Sequence, residues 1–261
     1  IHVDAAAVPA EGIEDLMNLP AVVKDLPGTD SRSRGRTTVW HWSPQWHEKP
    51  LIVRQYVHGG VLGRLWGSLF LSSRRMRKEL RIARHAIDHG VPTSRPVALR
   101  LETVFGPFLR ALLVTEQLPE ASNLLDYCRA GDGRTPGRRQ ELARTVAGTI
   151  AQMHEAGIFH GDLNLKNLLV QWQGSRCNVS VIDFKKARLR ENVPLELGLE
   201  NLVRLDRSLV KWPASRREIS LHDRLRALRE YIQRRRGRRG GWKGVARGIR
   251  TRHALHAISR R

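Results

Sequence analysis

Only two cysteines occur in 261 residues, Cys128 and Cys177. That excludes a disulfide framework and any cysteine-based metal spacing, and makes a reducing compartment the default expectation. Long apolar runs are missing too. The most apolar stretch, Val61 to Leu71, is short and broken by Arg64, well under the roughly 18 uninterrupted residues of a spanning helix. No internal repeat is found. The first residues lack both an initiator Met and a charged-then-apolar leader pattern, so the chain reads as soluble or peripheral to a membrane. Acidic residues are scarce, with 25 Asp+Glu against 46 Lys+Arg and a net charge of +21. Such a field favours polyanionic partners: nucleic acid, acidic lipid head groups or a phosphorylated substrate.

The excess charge is unevenly placed. From Arg224 to the end there are 14 Lys+Arg against one acid, Glu230, more than half of the net charge. What remains is a moderately basic body, 41% hydrophobic and long enough for one large domain or two tightly coupled lobes. Residues 1–20, small and with two prolines, read as a loose lead-in. Residues 21–57 carry turn and strand signals, including the β-branched and aromatic run Thr37 to Trp42 and the run Leu51 to Val57. Helical spacing begins near Ser72, through Met76, Leu80, Ala83 and Ile87, and stops at His89-Gly90 before Pro92. Val97 to Leu101 and Phe108 to Thr115 read as strands, and Asn123 to Cys128 as a short helix. Leu142, Val146, Ile150 and Met153 then share one helical face, ended by Gly157. Two short apolar strands follow, Asn167 to Gln171 and Val179 to Ile182, and the chain from Leu195 is mostly helical. A strand-rich part ahead of a helix-rich part predicts an α+β architecture, a small antiparallel β-dominated lobe followed by a larger helical one.

The segment Ile158 to Val170 carries the chemistry. It reads His160-Gly161-Asp162-Leu163-Asn164-Leu165-Lys166-Asn167 and then runs apolar; after a turn comes Val181-Ile182-Asp183-Phe184. His-x-Asp-Leu-x-x-x-Asn followed by an apolar strand and Ile-Asp-Phe resembles the catalytic loop and metal-binding Asp of the protein-kinase-like superfamily. The resemblance implies a bilobal phosphotransferase using ATP and Mg²⁺. Its N-lobe spans residues 21–116, its C-lobe residues 117–223, and a basic helical tail residues 224–261. Phosphoryl transfer needs a carboxylate beside the attacking hydroxyl and hard oxygen ligands for the ion on the phosphates. By the family's pattern Asp162 takes the first role, and Asn167 and Asp183 take the second. Arg54, in Ile52-Val53-Arg54, stands where most of the superfamily has Lys, with Glu79 on the following helix as its partner. Arg binds phosphate with a planar fork and is not equivalent to Lys. Gly35, in the turn from Ser31 to Arg36, represents the phosphate-covering loop. Glu116 falls at the inter-lobe hinge where backbone groups would meet adenine, and Lys166 is assigned to the nucleotide as well.

Two absences narrow the class. The loop has His-Gly-Asp rather than His-Arg-Asp, and neither a Gly after Asp183-Phe184 nor an Ala-Pro-Glu before Asn201 is present. Regulated protein phosphorylation loses ground. Three stretches resemble instead the lipopolysaccharide-core sugar kinases, closest to the 3-deoxy-D-manno-octulosonic acid (Kdo) kinases. These are Val53-Arg54-Gln55-Tyr56 running into Gly59-Gly60, Gly90-Val91-Pro92-Thr93-Ser94-Arg95-Pro96, and Asn201-Leu202-Val203-Arg204-Leu205-Asp206-Arg207-Ser208-Leu209-Val210-Lys211. The resemblance covers about Gly35 to Trp212. It implies a Kdo-lipid A or heptose-bearing acceptor and a cytoplasmic location peripheral to the inner membrane. Arg204, Arg207 and Lys211 share a helical face that could meet an acidic acceptor. Trp242, Val245, Ala246 and Ile249, amid Lys243, Arg247 and Arg250, suit an anionic membrane surface. Lys185-Lys186 and the basic tail depart from the family pattern. The alternative is a RIO-like atypical serine kinase or ATPase, whose Ile-Asp-x-x-x-Ala compares with Ile182 to Ala187 and whose basic tail would bind RNA or protein. A non-catalytic binding module is argued against by intact Asp162, Asn167 and Asp183.

Overall fold

The structure, a computed structural model, describes residues 1–3, 8–26, 28–30, 38–58, 67–131 and 135–236. Gly35 and the turn expected around it, residues 59–66 with Gly59-Gly60 and the start of the apolar stretch, and the tail past 236 lie outside the described residues. The described chain is mixed α/β, with antiparallel sheets and eight helices. It divides into two compact units, Ile1–Arg84 with Ser94–Leu118, and His85–Thr93 with Pro119–Arg261.

In the first unit the elements run β1 (His2–Val3), α1 (Ala10–Met17), α2 (Leu19–Asp25), β2 (Gly28–Asp30), β3 (Thr38–Trp42), β4 (Leu51–Gln55), α3 (Arg74–Asp88, which crosses the unit boundary), β5 (Pro96–Phe105) and β6 (Phe108–Glu116). The strands form one six-stranded sheet in the order β1-β5-β6-β4-β3-β2, every pair antiparallel. Successive side chains on a strand point to opposite faces, and both faces here are covered. Leu51 and Val53 of β4, with Leu112 and Val114 of β6, pack against Leu16, Leu19 and Val23 of α1 and α2. On the other face, Tyr56, Leu99, Ala111 and Leu113 pack against Met76 and Leu80 of α3.

The first 25 residues correct the sequence reading. Within residues 1–20, expected as a loose lead-in, His2–Val3 form β1 and Ala10–Met17 form α1, and α2 occupies the start of the expected strand region. The prolines misled: Pro9 caps α1 and Pro20 lies in the first turn of α2, the two places where a helix loses nothing by a missing N–H.

The second unit contains β7 (Ser122–Asn123), α4 (Leu124–Ala130), α5 (Pro136–Glu155), β8 (Ile158–Phe159), β9 (Leu168–Gln173), β10 (Arg176–Val181), β11 (Arg188–Leu189), α6 (Leu195–Lys211), α7 (Pro213–Glu218) and α8 (Leu221–Arg236). Asn123 and Thr135 cap α4 and α5 by accepting from Asp126 N–H and Arg138 N–H, so each start is written in the sequence. Leu142, Val146, Ile150 and Met153 of α5 are all buried, as their spacing predicts. Helix α8 packs along α5 and buries Leu228, Tyr231 and Ile232. Residues 224–236, expected as the start of an appended basic tail, are therefore part of the second unit's core; their arginines occupy the remaining faces.

Cys128 and Cys177 are both free and buried, and burial pushes each thiol up to about 12. They stay protonated and serve as small apolar side chains. Among the described residues no helix is long and apolar enough to cross a membrane.

One glycine sets how closely α6 approaches α5 and α8. A Cβ on Gly198 would stand 2.1 Å from Tyr231 Oη and 2.9 Å from His154 Nδ1. Gly198→Ala is expected to lower stability by about 2 kcal/mol or more through overpacking. Gly137→Ala, in the first turn of α5 with nothing within 4 Å of the new methyl, should gain up to about 1 kcal/mol from helix propensity. Urea unfolding of the two variants beside the parent chain checks both signs.

Candidate active site

Local structure brings the two candidate segments of the second unit together. Strand β8 leads into the loop from His160, a 3₁₀ turn at Leu165–Asn167 closes it, and β9 follows. Strand β10 returns along β9, pairing Val181 with Leu168, and Ile182 N–H donates to the Asn167 carbonyl at 3.0 Å. Asn167 and Asp183 thus flank the open end of one hairpin. Asp183 has φ 67°, ψ 67°, a left-handed conformation that Asp tolerates better than most residues. It curls the chain into a second 3₁₀ turn, Phe184–Lys186, before β11 returns to pair with β8.

Side chains lock the loop to the turn. His160 is fully buried and its Nε2 faces the Ile182 carbonyl at 3.0 Å. A carbonyl can only accept, so the proton is on Nε2, and Nδ1 accepts from Asp162 N–H at 3.3 Å. The Asp162 carbonyl accepts from Asn164 Nδ2 and Asn167 Nδ2, both at 2.9 Å. Spending its amide nitrogen there leaves Asn167 its oxygen to offer elsewhere. Gly161 has φ 72°, and a Cβ on it would lie 2.4 Å from the Lys186 carbonyl. The position that reads as a missing Arg is one where this backbone admits no side chain.

The two lysines that looked like departures each meet a carboxylate. Lys186 Nζ lies 2.9 Å from Asp162 Oδ2, and Lys185 Nζ lies 3.8 Å from Asp183 Oδ1. Nothing in the spacing of Lys185-Lys186 signals this; it follows from the turn that Asp183 starts.

A buried hydrogen-bond chain supports the loop from behind. Asn201 Oδ1, on α6, accepts from His160 N–H at 3.1 Å and from His154 Nε2–H at 3.0 Å. His154 Nδ1 then accepts from the Tyr231 hydroxyl of α8 at 2.8 Å. Burial is the main cause holding His154 down at about 4, against the opposing hydrogen bond to Asn201. His154 is therefore neutral at pH 7, as an acceptor for Tyr231 must be. Asn201 opens a stretch already noted in the sequence, but its pairing with the His160 backbone was not legible there.

In the first unit Arg54 and Tyr56, two residues apart, point to the same face of the sheet as α3. Arg54 Nη2 donates to Glu79 Oε1 at 2.6 Å, and the Tyr56 hydroxyl donates to Glu79 Oε2 at 2.7 Å. Glu79 is 3% exposed, so both carboxylate oxygens find partners in the interior. The guanidinium also lies over the Tyr56 ring, 5.2 Å from its centroid. The expected Arg54–Glu79 pair is present, and Tyr56 is a third member the sequence reading did not assign. Glu116 ends β6. Its N–H donates to the Arg95 carbonyl, its carbonyl accepts from the Ser94 hydroxyl, and its carboxylate pairs with Lys49 at 2.7 Å. Lys166 projects from the first 3₁₀ turn, with Nζ 5.9 Å from the Trp212 ring centroid.

The donor set suits Mg²⁺. The Asp183 carboxylate and the Asn167 amide offer hard oxygens flanking one hairpin end, which would suit such an ion. Among the described residues no cluster of three His, Cys, Asp or Glu side chains could hold a metal. Two protein oxygens with the remaining shell left to phosphate and water is how Mg²⁺ is commonly bound.

A loop and turn built in this way, on this fold, define a phosphotransferase acting on a hydroxyl acceptor. The chain belongs to the lipopolysaccharide kinase (Kdo/WaaP) family, which it matches over residues 29–231. It is similar to the 3-deoxy-D-manno-octulosonic acid kinase of Vibrio cholerae serotype O1, at 31% identity over 68% of this chain and 72% of the relative. The kinase of the same name from Photobacterium profundum is 31% identical over 70% of this chain and 74% of the relative. Among solved structures, "WaaP in complex with acyl carrier protein" matches with a TM-score of 0.64 at 22% identity, covering 97% of this chain and 98% of that one. The chain is a sugar kinase of lipopolysaccharide-core biosynthesis, similar to the Kdo kinases.

His154 gives stability a pH dependence of known sign. Its folded pKa, about 4, lies below the ordinary 6.5, so the unfolded chain binds the proton more readily. Stability contributed by this group is complete above pH 6.5 and is lost as pH falls toward 4. Between pH 7 and pH 4 the parent chain should lose roughly 3 kcal/mol more than a His154→Gln variant, read from urea midpoints along the pH series.

Proposed function

We propose that the chain transfers the terminal phosphoryl group of ATP, with Mg²⁺, to a hydroxyl of a Kdo or heptose residue. The acceptor is a lipopolysaccharide inner-core precursor such as Kdo-lipid A, met at the cytoplasmic face of the inner membrane. One observation carries the reading: His160 ties the loop bearing Asp162 and Asn167 to the turn bearing Asp183 and Lys186. The names of the curated relatives favour Kdo over heptose, and family membership favours a sugar acceptor over the RIO-like alternative. On this reading the two units are the small and large lobes of a protein-kinase-like fold.

Each residue then has a task. Asp162 orients the acceptor hydroxyl and takes its proton as the new P–O bond forms and the bond to the departing ADP oxygen breaks. Asn167 and Asp183 would hold the divalent ion, which would supply positive charge to offset that of the phosphates. Arg54 presents its fork to the nucleotide phosphates, fixed by Glu79 and Tyr56, and Glu116 lies at the adenine-bearing connection. Lys186, already against Asp162, offers its ammonium to the transferring group, where a preorganised cation counts most. The anionic inner leaflet suits the +21 chain, each basic residue near it contributing on the order of 1 kcal/mol.

Labelled ATP with Kdo-lipid A tests the assignment. Asp162→Asn is expected to lower kcat by about 10²-fold or more with melting temperature unchanged; undiminished transfer would overturn the assignment. Lys186→Met should lower kcat by roughly 10- to 100-fold with little change in KM for ATP, and Lys186→Arg should recover part of the loss. A loss confined to KM would remove Lys186 from the transfer step.

A further inference from the structure

The end of α6 gathers three cations around one indole. Trp212 stands between α6 and α7, and its ring centroid lies 5.4 Å from Arg129 Cζ, 5.6 Å from Lys211 Nζ and 5.9 Å from Lys166 Nζ. The three come from different elements: Arg129 from the last turn of α4, Lys211 from the last turn of α6, and Lys166 from the catalytic loop. All three are exposed. Arg129 pairs at 2.8 Å with Asp126, itself exposed; among the described residues neither lysine makes an ion pair with a carboxylate.

Three like charges sharing a ring repel one another. The indole face and the partial negative ends of α4 and α6 offset part of that cost, and an oxyanion would offset the rest. The cluster is also fixed to the catalytic loop. Leu165 N–H donates to Ser208 Oγ of α6 at 3.3 Å, and Lys166 N–H donates to Asn164 Oδ1 at 2.9 Å. An anion held at Trp212 is therefore anchored one turn along the chain from Asp162.

We propose that Arg129, Lys166 and Lys211, assembled on Trp212, form the subsite for an oxyanion of the acceptor, a phosphate or a carboxylate. The proposal rests on the sugar-kinase reading and deepens it. Lys166, given to the nucleotide by the sequence reading, belongs on this account to the acceptor. Arg204 and Arg207, exposed on the same helix, extend the positive surface away from the subsite.

The test uses the full chain carrying Arg129→Gln and Lys211→Gln together, with Kdo-lipid A in neutral-detergent micelles. KM for the acceptor should rise about tenfold, the scale expected for losing two solvent-exposed ion pairs. KM for ATP should hold, and the variant's acceptor KM should depend less steeply on salt than the parent's. With Kdo-lipid A stripped of its lipid phosphates, a vanished difference assigns the anion to phosphate and a persisting one to the sugar carboxylate; both support the subsite. An unchanged acceptor KM, or an equal rise in KM for ATP, overturns it. Equilibrium binding of the same micelles needs no turnover. Should the parent chain fail to transfer phosphate while the variant still loses binding, the kinase reading falls and the anion subsite stands; undiminished binding overturns the subsite whatever the kinase result.

Discussion

A buried imidazole that must stay neutral and in one tautomer links the loop bearing Asp162 and Asn167 to the start of the turn bearing Asp183. His160 has both ring nitrogens committed, Nε2–H to the Ile182 carbonyl and Nδ1 to the Asp162 amide. Protonating Nδ1 would set a donor against a donor, and the other tautomer would set two acceptors against each other. Either change removes the bond that fixes the catalytic loop or the one that fixes the start of the Asp183 turn. An unpartnered buried polar group costs about 1–3 kcal/mol, so the network has one low-energy arrangement. The same logic extends one layer outward, where Asn201 reads the His160 amide and His154 at once and Tyr231 makes His154 an acceptor. Helix α8, which looks in sequence like the start of a charged tail, ends up setting the rear wall of the loop.

Much of the fold was legible because two periodicities are clean. The face Leu142, Val146, Ile150, Met153 has helical spacing and no competing signal, and the strand at Leu51 to Gln55 has period two. The Arg54–Glu79 pair was expected only through the resemblance to the protein-kinase-like superfamily; that Tyr56 shares the face of Arg54 follows from the alternation of the strand. What failed did so for physical reasons. In α8 the buried residues Leu228, Tyr231 and Ile232 are outnumbered by arginines on the other faces, so charge density hid an apolar stripe. In α1 and α2 proline was read as a breaker, although it stands at helix starts, where it breaks nothing.

Of the candidate site, the spacing of Asp162, Asn167 and Asp183 could be read from the sequence, whereas the contact of Lys186 with Asp162 could not. Asp162, Asn167 and Asp183 are separated by fixed counts along loop and strand, so spacing reports them. Lys186 reaches Asp162 only because Asp183 adopts a left-handed backbone and because Gly161 leaves room for the Lys186 carbonyl to approach. Neither condition appears in residue spacing. The His-Gly-Asp sequence, read alone as the loss of an arginine, is better understood as a trade. With no side chain at 161, the turn after Asp183 packs close enough to bring the Lys186 ammonium to the Asp162 carboxylate.

The arginine at position 54 poses the corresponding problem in the first unit. A lysine ammonium is a compact charge that tolerates several directions of approach, whereas a guanidinium binds well only in its own plane. On the proposed reading, an arginine at position 54 must be oriented as well as placed. Glu79 alone would leave the guanidinium free to turn about one contact. Tyr56 adds a ring beneath it and a hydroxyl that occupies the second carboxylate oxygen, so Glu79 presents a single oxygen in a fixed direction. The Arg-x-Tyr spacing on one strand face and the buried Glu on α3 are therefore one device, which orients the guanidinium as well as placing it.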